Sequence, residues 1–316
     1  MAVLQVKNLT KVFRSRSFKG LRWKLNEVRA VEELSFEVKE GEIVGLLGPN
    51  GAGKTTTIQM LLGCLTPTGG EIFYFGKRFW GKDPAVMKRL NFMSGYSRLP
   101  WKMTVRENLE IYARLYEVKK REKRIKKLLG AFGVGELIDK PMYQLSSGQI
   151  TRVLLAKAFV NYPRMLLLDE PTASLDPDIA ARVREFLVKQ QKEYGVTMLF
   201  TSHNMKEVEE ICDRVVFLYK GKKVVEDTPV GLASRIKEIK LRMLVLKGRE
   251  VAERYLQAKQ IAFRWKKNRL TIRVVDEQIP KVLYRFSQLG VRYKEIEVIR
   301  PSLEDFFLAL SREKNL

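Results

Sequence analysis

The stretch Gly48-Pro49-Asn50-Gly51-Ala52-Gly53-Lys54-Thr55-Thr56 has the residue types and spacing of a phosphate grip. Glycines let successive backbone N–H groups turn onto an anion with no Cβ in the way. A helix opening at the lysine adds the positive end of its dipole. Lys54 reaches β- and γ-phosphates, and the Thr55 hydroxyl is a ligand for Mg2+. Two acids, Asp169 and Glu170, close the apolar run Met165-Leu166-Leu167-Leu168. The first suits a magnesium ion, held directly or through water. The second projects differently and suits polarisation of a water molecule. Thr201-Ser202-His203 closes another apolar run, and His203 is the only histidine in the chain. Finally, Leu145-Ser146-Ser147-Gly148-Gln149 precedes Ile150 to Phe159, whose apolar spacing is helical. The Ser146 hydroxyl and the Gly148 N–H at such a helix start suit an anion, and the same residues equally make an ordinary helix N-cap.

These residues need strands that deliver them to one edge and helices that leave from it. Ile43-Val44-Gly45-Leu46-Leu47 is a buried strand feeding the glycine-rich turn, and Thr57 to Leu62 opens the helix after it. Met165 to Asp169 and Val196 to Thr201 are further buried strands, so the acids and the histidine fall where an open α/β sheet binds ligands. Around this frame, residues 1–13 form a strand ending at Phe13, and the basic stretch Arg14 to Lys24 has no period and is expected to be a loop or arm. Val31 to Val38 is a strand, Pro67-Thr68-Gly69-Gly70 a turn, and Pro84 to Leu90 a short helix. Met103 to Leu129 is helical, with the basic run Lys119 to Lys127 as a solvated face. Ile179 to Lys192 is a helix carrying Ile179, Val183, Phe186 and Leu187 on one face. Around Thr228-Pro229 the pattern changes to short strands and two helices. A nucleotide-binding domain over 1–228 followed by a small α/β domain over 229–316 is expected.

The 316 residues, 45% of them apolar, suffice for a large domain and a small one. No run approaches the length of a membrane span, and Met1 to Thr10 alternates like a strand rather than a signal peptide. Cys64 and Cys212 are expected to be buried thiols in a reducing cytosol. The formal charge of +23 has two readings, nucleic acid and an anionic membrane face.

Taken in order, these motifs resemble those of the ATP-binding cassette (ABC) family, the ATPase subunits of ABC transporters. Gly48 to Thr56 looks like Walker A. Leu145 to Gln149 looks like the signature LSGGQ with Ser147 in place of its first glycine. Leu166 to Glu170 looks like Walker B with the catalytic glutamate, Ala173-Ser174-Leu175-Asp176 like the D-loop, and His203 like the switch histidine. The resemblance covers about residues 1–228. It implies a P-loop NTPase of α/β class with a helical subdomain at about 97–160, followed by the accessory domain. It implies a dimer, most simply a homodimer, in which ATP lies between Gly48–Thr56 of one subunit and Ser146–Gln149 of the other. Lys54 and backbone N–H groups would bind phosphates, Thr55 and Asp169 would hold Mg2+, and Glu170 would activate the attacking water. His203 would touch the γ-phosphate, and Asp176 would couple the two sites.

The resemblance further implies an integral membrane permease on a separate chain, with this protein peripheral on the cytoplasmic face of the cell membrane. The basic charge then belongs to an anionic membrane surface, and nucleic acid is not expected as a partner. The alternative is a soluble ABC ATPase acting on nucleic acid or ribosomes. Such relatives carry two cassettes or a long coiled coil, and this sequence has neither. Arg300-Pro301-Ser302-Leu303-Glu304-Asp305-Phe306-Phe307-Leu308 resembles the ending of ATPases of ABC-2 type exporters, in which the added domain is regulatory or assists dimerisation.

Two departures from the family stand out. Its members carry a glutamine that ligates Mg2+ and senses the membrane partner. Alignment on Thr104-Val105-Arg106-Glu107-Asn108-Leu109 puts Gly95 at that place, which leaves Ser94 or a water to act as ligand. The family also stacks adenine on an aromatic soon after the first strand. Phe13 fits by context, and Phe18 and Trp23 are alternatives on the long basic stretch.

Overall fold

The computed structural model describes residues 1–19, 22–95 and 97–313, with side chains described outside 16–25 and 311–313. The chain divides into two compact units, Met1–Thr228 and Pro229–Leu316.

The first unit opens with β1 (Ala2–Lys19), β2 (Arg22–Lys39), β3 (Ile43–Leu47), α1 (Lys54–Leu61), β4 (Gly69–Tyr74) and β5 (Lys77–Arg78). It continues through α2 (Pro84–Met87), β6 (Leu90–Ser94), α3 (Val105–Leu115), α4 (Arg121–Ala131) and α5 (Ser147–Ala158). It closes with β7 (Met165–Asp169), α6 (Pro177–Tyr194), β8 (Thr197–Thr201), α7 (Met205–Ile211), β9 (Arg214–Tyr219) and β10 (Lys222–Asp227).

Its central sheet has the order β10-β9-β3-β8-β7-β6. All neighbours pair in parallel except β10 with β9. β3, β7 and β8 are buried at every residue, as continuous apolar runs covered on both faces must be. Because they run parallel, β3, β8, β7 and β6 all end at the same edge. The register sets Ser94, Asp169 and Thr201 side by side along that edge. A second, antiparallel sheet, β2-β1-β4-β5, shares a core with the first through Leu4, Leu34, Tyr74, Val44, Leu46 and Leu199.

Several expectations change. The helix expected over Pro84 to Leu90 ends at Met87, with Leu90 opening β6, and the second unit has four α-helices among the described residues rather than two. The basic stretch after Phe13 is no loop, since β1 and β2 form one long hairpin paired from Ala2–Lys39 to Lys19–Arg22. The alternation that marks a strand is lost there because both faces carry polar residues; Arg14 and Glu27 pair across it at 2.8 Å. The single helix expected over Met103 to Leu129 is two, α3 and α4, separated at Glu117 and Lys120, both with φ above +50°. Within the basic run, Arg124 is not solvated: it donates to the Phe159 carbonyl at 2.6 Å and lies over the Tyr162 ring. Cys212 is buried, but Cys64 is exposed, because it follows α1 on its way to the surface turn at Pro67.

The second unit comprises α8 (Pro229–Ala233), β11 (Ile239–Lys247), α9 (Arg249–Ala258), β12 (Phe263–Lys266), β13 (Arg269–Val274), α10 (Ile279–Gln288), β14 (Arg292–Ile299) and α11 (Leu303–Glu313). From β11 to β14 this is the split β-α-β-β-α-β arrangement, with strand order β12-β13-β11-β14 and every pairing antiparallel. One face of the sheet packs Leu241, Met243, Leu270 and Ile272 against Leu256 of α9 and Phe286 of α10.

Candidate functional site

The glycine-rich turn follows β3 directly. Gly48 has φ +147° and Gly53 φ +103°. A Cβ on Gly48 would lie 2.2 Å from the Leu218 carbonyl oxygen, and one on Gly53 2.5 Å from that of Ala30. Both positions therefore need glycine for conformation and for room. Pro49, Asn50 and Gly51 complete the turn, which Ala52 closes by donating its N–H to the Pro49 carbonyl at 3.1 Å. α1 begins at Lys54, and its first N–H groups have no acceptor inside the helix. Thr55 is exposed in that first turn and Thr56 half-buried beside it. The Lys54 ammonium folds back over the turn and donates to the carbonyls of Gly48 at 2.6 Å and Pro49 at 3.1 Å. Burial holds it below the ordinary lysine range, against the raising pull of Glu170 and Asp169.

Asp169 ends β7 with one hydrogen bond to each carboxylate oxygen. Thr201 Oγ1 donates to Oδ1 at 2.7 Å and Ser94 Oγ to Oδ2 at 3.2 Å. Glu170 then takes the left-handed conformation, φ +50°. For a residue with a Cβ this is strained, and two contacts hold it: its N–H lies 3.1 Å from both the carbonyl oxygen and Oγ1 of Thr201. The turn swings Glu170 away from Asp169 toward His203, whose Nδ1 lies 3.4 Å from Glu170 Oε1. The histidine side chain is 71% exposed and the glutamate 30%, so the pair faces outward from the sheet edge. Beneath it, Glu207 of α7 is buried and accepts from Thr172 Oγ1 at 2.8 Å, Ser202 Oγ at 3.0 Å and Arg184 Nη1 at 3.1 Å. This network pins the segments after β7 and after β8 to each other. A cavity of about 300 Å³ opens above it, with Glu170, His203 and Leu175 in its wall.

Ser146 caps α5 in a reciprocal capping box. Its hydroxyl accepts from the Gln149 N–H at 3.3 Å, and the Gln149 side chain accepts from the Ser146 N–H at 2.9 Å. Both polar side chains thus serve the helix start, while Ser147 and Gly148 leave the backbone of the first turn open. A Cβ on Gly148 would stand 3.3 Å from the Ser174 carbonyl oxygen, and Thr151 Oγ1 is 3.2 Å from Ser174 Oγ. The segment Ala173 to Asp176 therefore lies against the start of α5. Asp176 sits exposed at the N-cap of α6, and its side chain accepts no capping bond.

Lys54, Asp169, Glu170 and His203 come together at one sheet edge. Ser146 to Gln149 do not join them: no hydrogen bond or ion pair among the described residues links that segment to Gly48–Thr56. Gly95 lies in the turn after β6, where a Cβ would meet nothing within 4 Å, and its neighbour Ser94 holds Asp169. Phe13 is 43% exposed with the Lys11 ammonium 5.3 Å above its ring centroid. The side chains of Phe18 and Trp23 lie outside the described residues. Sequence reasoning missed Thr201, Glu207 and Arg184. For Thr201 the available signal was a hydroxyl closing an apolar run next to the histidine.

Comparisons with known proteins bear on the family of the chain. The ABC transporter family model matches residues 31–173. The chain is 31% identical over 321 residues to the ABC transporter ATP-binding protein YhcH of Bacillus subtilis, covering 98% of this chain and 96% of that one. It is 34% identical over 302 residues to the Nod factor export ATP-binding protein I of Burkholderia thailandensis, covering 93% and 96%. Among solved structures, a dimeric ATP-binding cassette in a post-hydrolysis state with ADP and Pi superposes with TM-score 0.64 at 25% identity, over 71% of this chain and 98% of that one.

Proposed function

The chain belongs to the ABC transporter family and is an ATPase of it, and from that premise we propose that it powers an exporter by closing on ATP as a head-to-tail dimer. The carrying observation is the meeting of the Lys54 loop, Asp169, Glu170 and His203 at one edge, with the start of α5 left apart from them. Half a site is built in each chain. The nucleotide then lies between Gly48–Thr56 of one copy and Ser146–Gln149 of a second, where the open first turn of α5 meets the γ-phosphate. Asp176, without a capping role in its own chain, reaches the facing site.

In this mechanism Lys54 exchanges its two carbonyl contacts for phosphate oxygens. Thr55 and Asp169 form a hard-oxygen set that fits Mg2+, since each carboxylate oxygen of Asp169 accepts one protein bond and keeps a lone pair. The ion, when bound, neutralises charge developing on the phosphates. Glu170 orients and deprotonates the attacking water, and its strained turn aims it at the γ-phosphate side of the loop. His203, 3.4 Å from the Glu170 carboxylate, contacts the γ-phosphate and steadies Glu170. Adenine stacks on Phe13.

Among the described residues no helix is long and apolar enough to cross a membrane. In this reading the translocation path is supplied by a membrane permease, with this subunit peripheral on its cytoplasmic face, as the names of the transport relatives support. The export direction rests on the Nod factor export relative and on the ending at Arg300 to Leu308. The test is Glu170→Gln. ATP binding is retained, hydrolysis falls by at least about a hundredfold, and an ATP-dependent dimer accumulates on size-exclusion chromatography. Hydrolysis by this variant at the unaltered rate would overturn the assignment.

A further inference from the structure

The second unit carries a recess that the ATPase reaction does not use. Helices α9 and α10 cover one face of its sheet, and α11 reaches the end of the other, where Asp305 meets Lys240. On the opposite face the register builds three rows across β12, β13 and β11. Arg264 faces Thr271, which faces Arg242. On one side of that row Lys266 faces Arg269, and on the other Arg273 faces Lys240. Thr271, half-buried and short, is the floor, and six long cationic side chains surround it. The result is a groove of about 820 Å³, within the range of small-ligand sites.

Two features separate this from an ordinary solvated face. Lys266 with Arg269, and Arg273 with Lys240, are like charges set directly opposite one another, an arrangement unfavourable in a sheet unless an anion lies between. The carboxylates nearby sit at the rim: Glu295 pairs with Arg269, Glu297 with Arg242 and Asp305 with Lys240. Among the described residues none pairs with Arg264, Lys266 or Arg273, all exposed into the groove. Between 229 and 316 the chain has twenty Lys and Arg against ten Asp and Glu.

We propose that this groove binds a free small molecule carrying two or more phosphoryl groups, seated over Thr271 with Arg264 and Arg273 as its main clamps. Arginine presents a planar fork suited to phosphate oxygens, and the Thr271 hydroxyl adds a donor at the floor. The shape selects the occupant. The cations ring a recess rather than stand out from a plane, which favours a compact anion over a bilayer surface. Phe263 and Trp265 of β12 also line the groove, but both are half-buried against the core and Arg249 lies over the Trp265 ring, so neither stands free as a platform for a nucleic-acid base.

The experiment titrates inorganic tripolyphosphate into the full-length chain by calorimetry at physiological salt, with the nucleotide loop first saturated with ADP. The expected result is one saturable equivalent per chain. In Arg264→Gln/Arg273→Gln its affinity falls by at least about tenfold, since each lost charged contact is worth a sizeable factor. Both side chains are exposed, so the variant keeps its melting temperature and its ATP hydrolysis. Thr271→Glu, which places a carboxylate among the six cations, abolishes the same binding, and Lys54→Ala leaves it intact. Absence of saturable binding overturns the proposal. So does binding lost in Lys54→Ala and kept in the double arginine variant, which would locate it in the nucleotide loop. Two other results also refute it in the absence of tripolyphosphate binding: loss, in the double variant, of attachment to vesicles half composed of phosphatidylglycerol, or loss of binding to an oligothymidylate.

Discussion

Thr201 is the residue on which the geometry of both acids depends, so Thr201→Val is the most informative single change. Valine keeps the shape of threonine and replaces the hydroxyl by a methyl, so the fully buried site neither collapses nor opens a cavity. The hydroxyl makes two contacts, donating to Asp169 Oδ1 at 2.7 Å and accepting from the Glu170 N–H at 3.1 Å. The first is a bond to a buried carboxylate, a class worth about 1.5–3 kcal/mol. The second is partly covered, because the Glu170 N–H also faces the Thr201 carbonyl. A loss of about 2 kcal/mol lowers the melting temperature by roughly 4–8 °C in a unit of this size. The functional effect should divide in a specific way. Lys54 and its loop do not touch Thr201, so the ATP dissociation constant changes by less than about threefold. The orientation of Asp169 toward a metal and the strained turn at Glu170 both loosen, so kcat falls by at least about tenfold and the Mg2+ concentration for half-maximal rate rises. Thr201→Ser restores the donor and should recover most of both losses. Differential scanning fluorimetry, nucleotide titration and a steady-state phosphate-release assay read the three quantities. If Thr201→Val melts and turns over like the unaltered protein, Thr201 does not organise the acids.

Gly95→Gln should be structurally silent. Its Cβ meets nothing within 4 Å, and the melting temperature should stay within about 2 °C. ATP affinity should persist while permease-stimulated turnover changes, and an unchanged stimulated rate in reconstituted complex would show that position 95 takes no part in coupling. Lys157 supplies a pH prediction. Burial pushes its ammonium from the ordinary 10.5 down to about 8. Between these values the unfolded chain holds a proton that the folded chain has released, so stability rises with pH across that window and is depressed below it. The gain between pH 8 and 9 is roughly 1 kcal/mol. Lys157→Met also strips donors from Asn91 Oδ1 and the Phe92 carbonyl, so its absolute stability falls, and the readout is the slope. Urea midpoints at the two pH values should differ for the unaltered protein by that amount more than for the variant, and equal slopes would refute the assignment.

What the sequence revealed and what it concealed divide by the kind of interaction involved. The phosphate loop was legible because the glycines answer to local backbone geometry: Gly48 and Gly53 sit at positive φ within a few residues of the lysine they serve. The α5 start was legible as a helix cap, since a Ser and a Gln three apart make a capping box wherever a helix begins. The apolar strands were legible because parallel strands buried on both faces have no polar residues to disguise them. The β1–β2 hairpin failed for the opposite reason, since beyond Phe13 Arg14 faces Glu27 on one side and Ser15 faces Asn26 on the other, which leaves no apolar alternation to read.

The contacts that organise the site lie between strands far apart in sequence. Ser94, Asp169 and Thr201 are neighbours only through the registers of β6 with β7 and β7 with β8, and a shift of one residue in either would send Asp169 to a different partner. The same holds for the recess of the second unit. Arg264, Lys266, Arg269, Arg273, Lys240 and Arg242 are unremarkable alternating basic residues along three short strands. They become a ring around Thr271 only because β13 lies between β12 and β11, so that its own short residue is flanked on both sides by arginine. A sheet in chain order would have placed β12 beside β11 and dispersed the six charges. Strand order, which no local pattern encodes, is thus what turns a diffuse positive charge into a site with a centre.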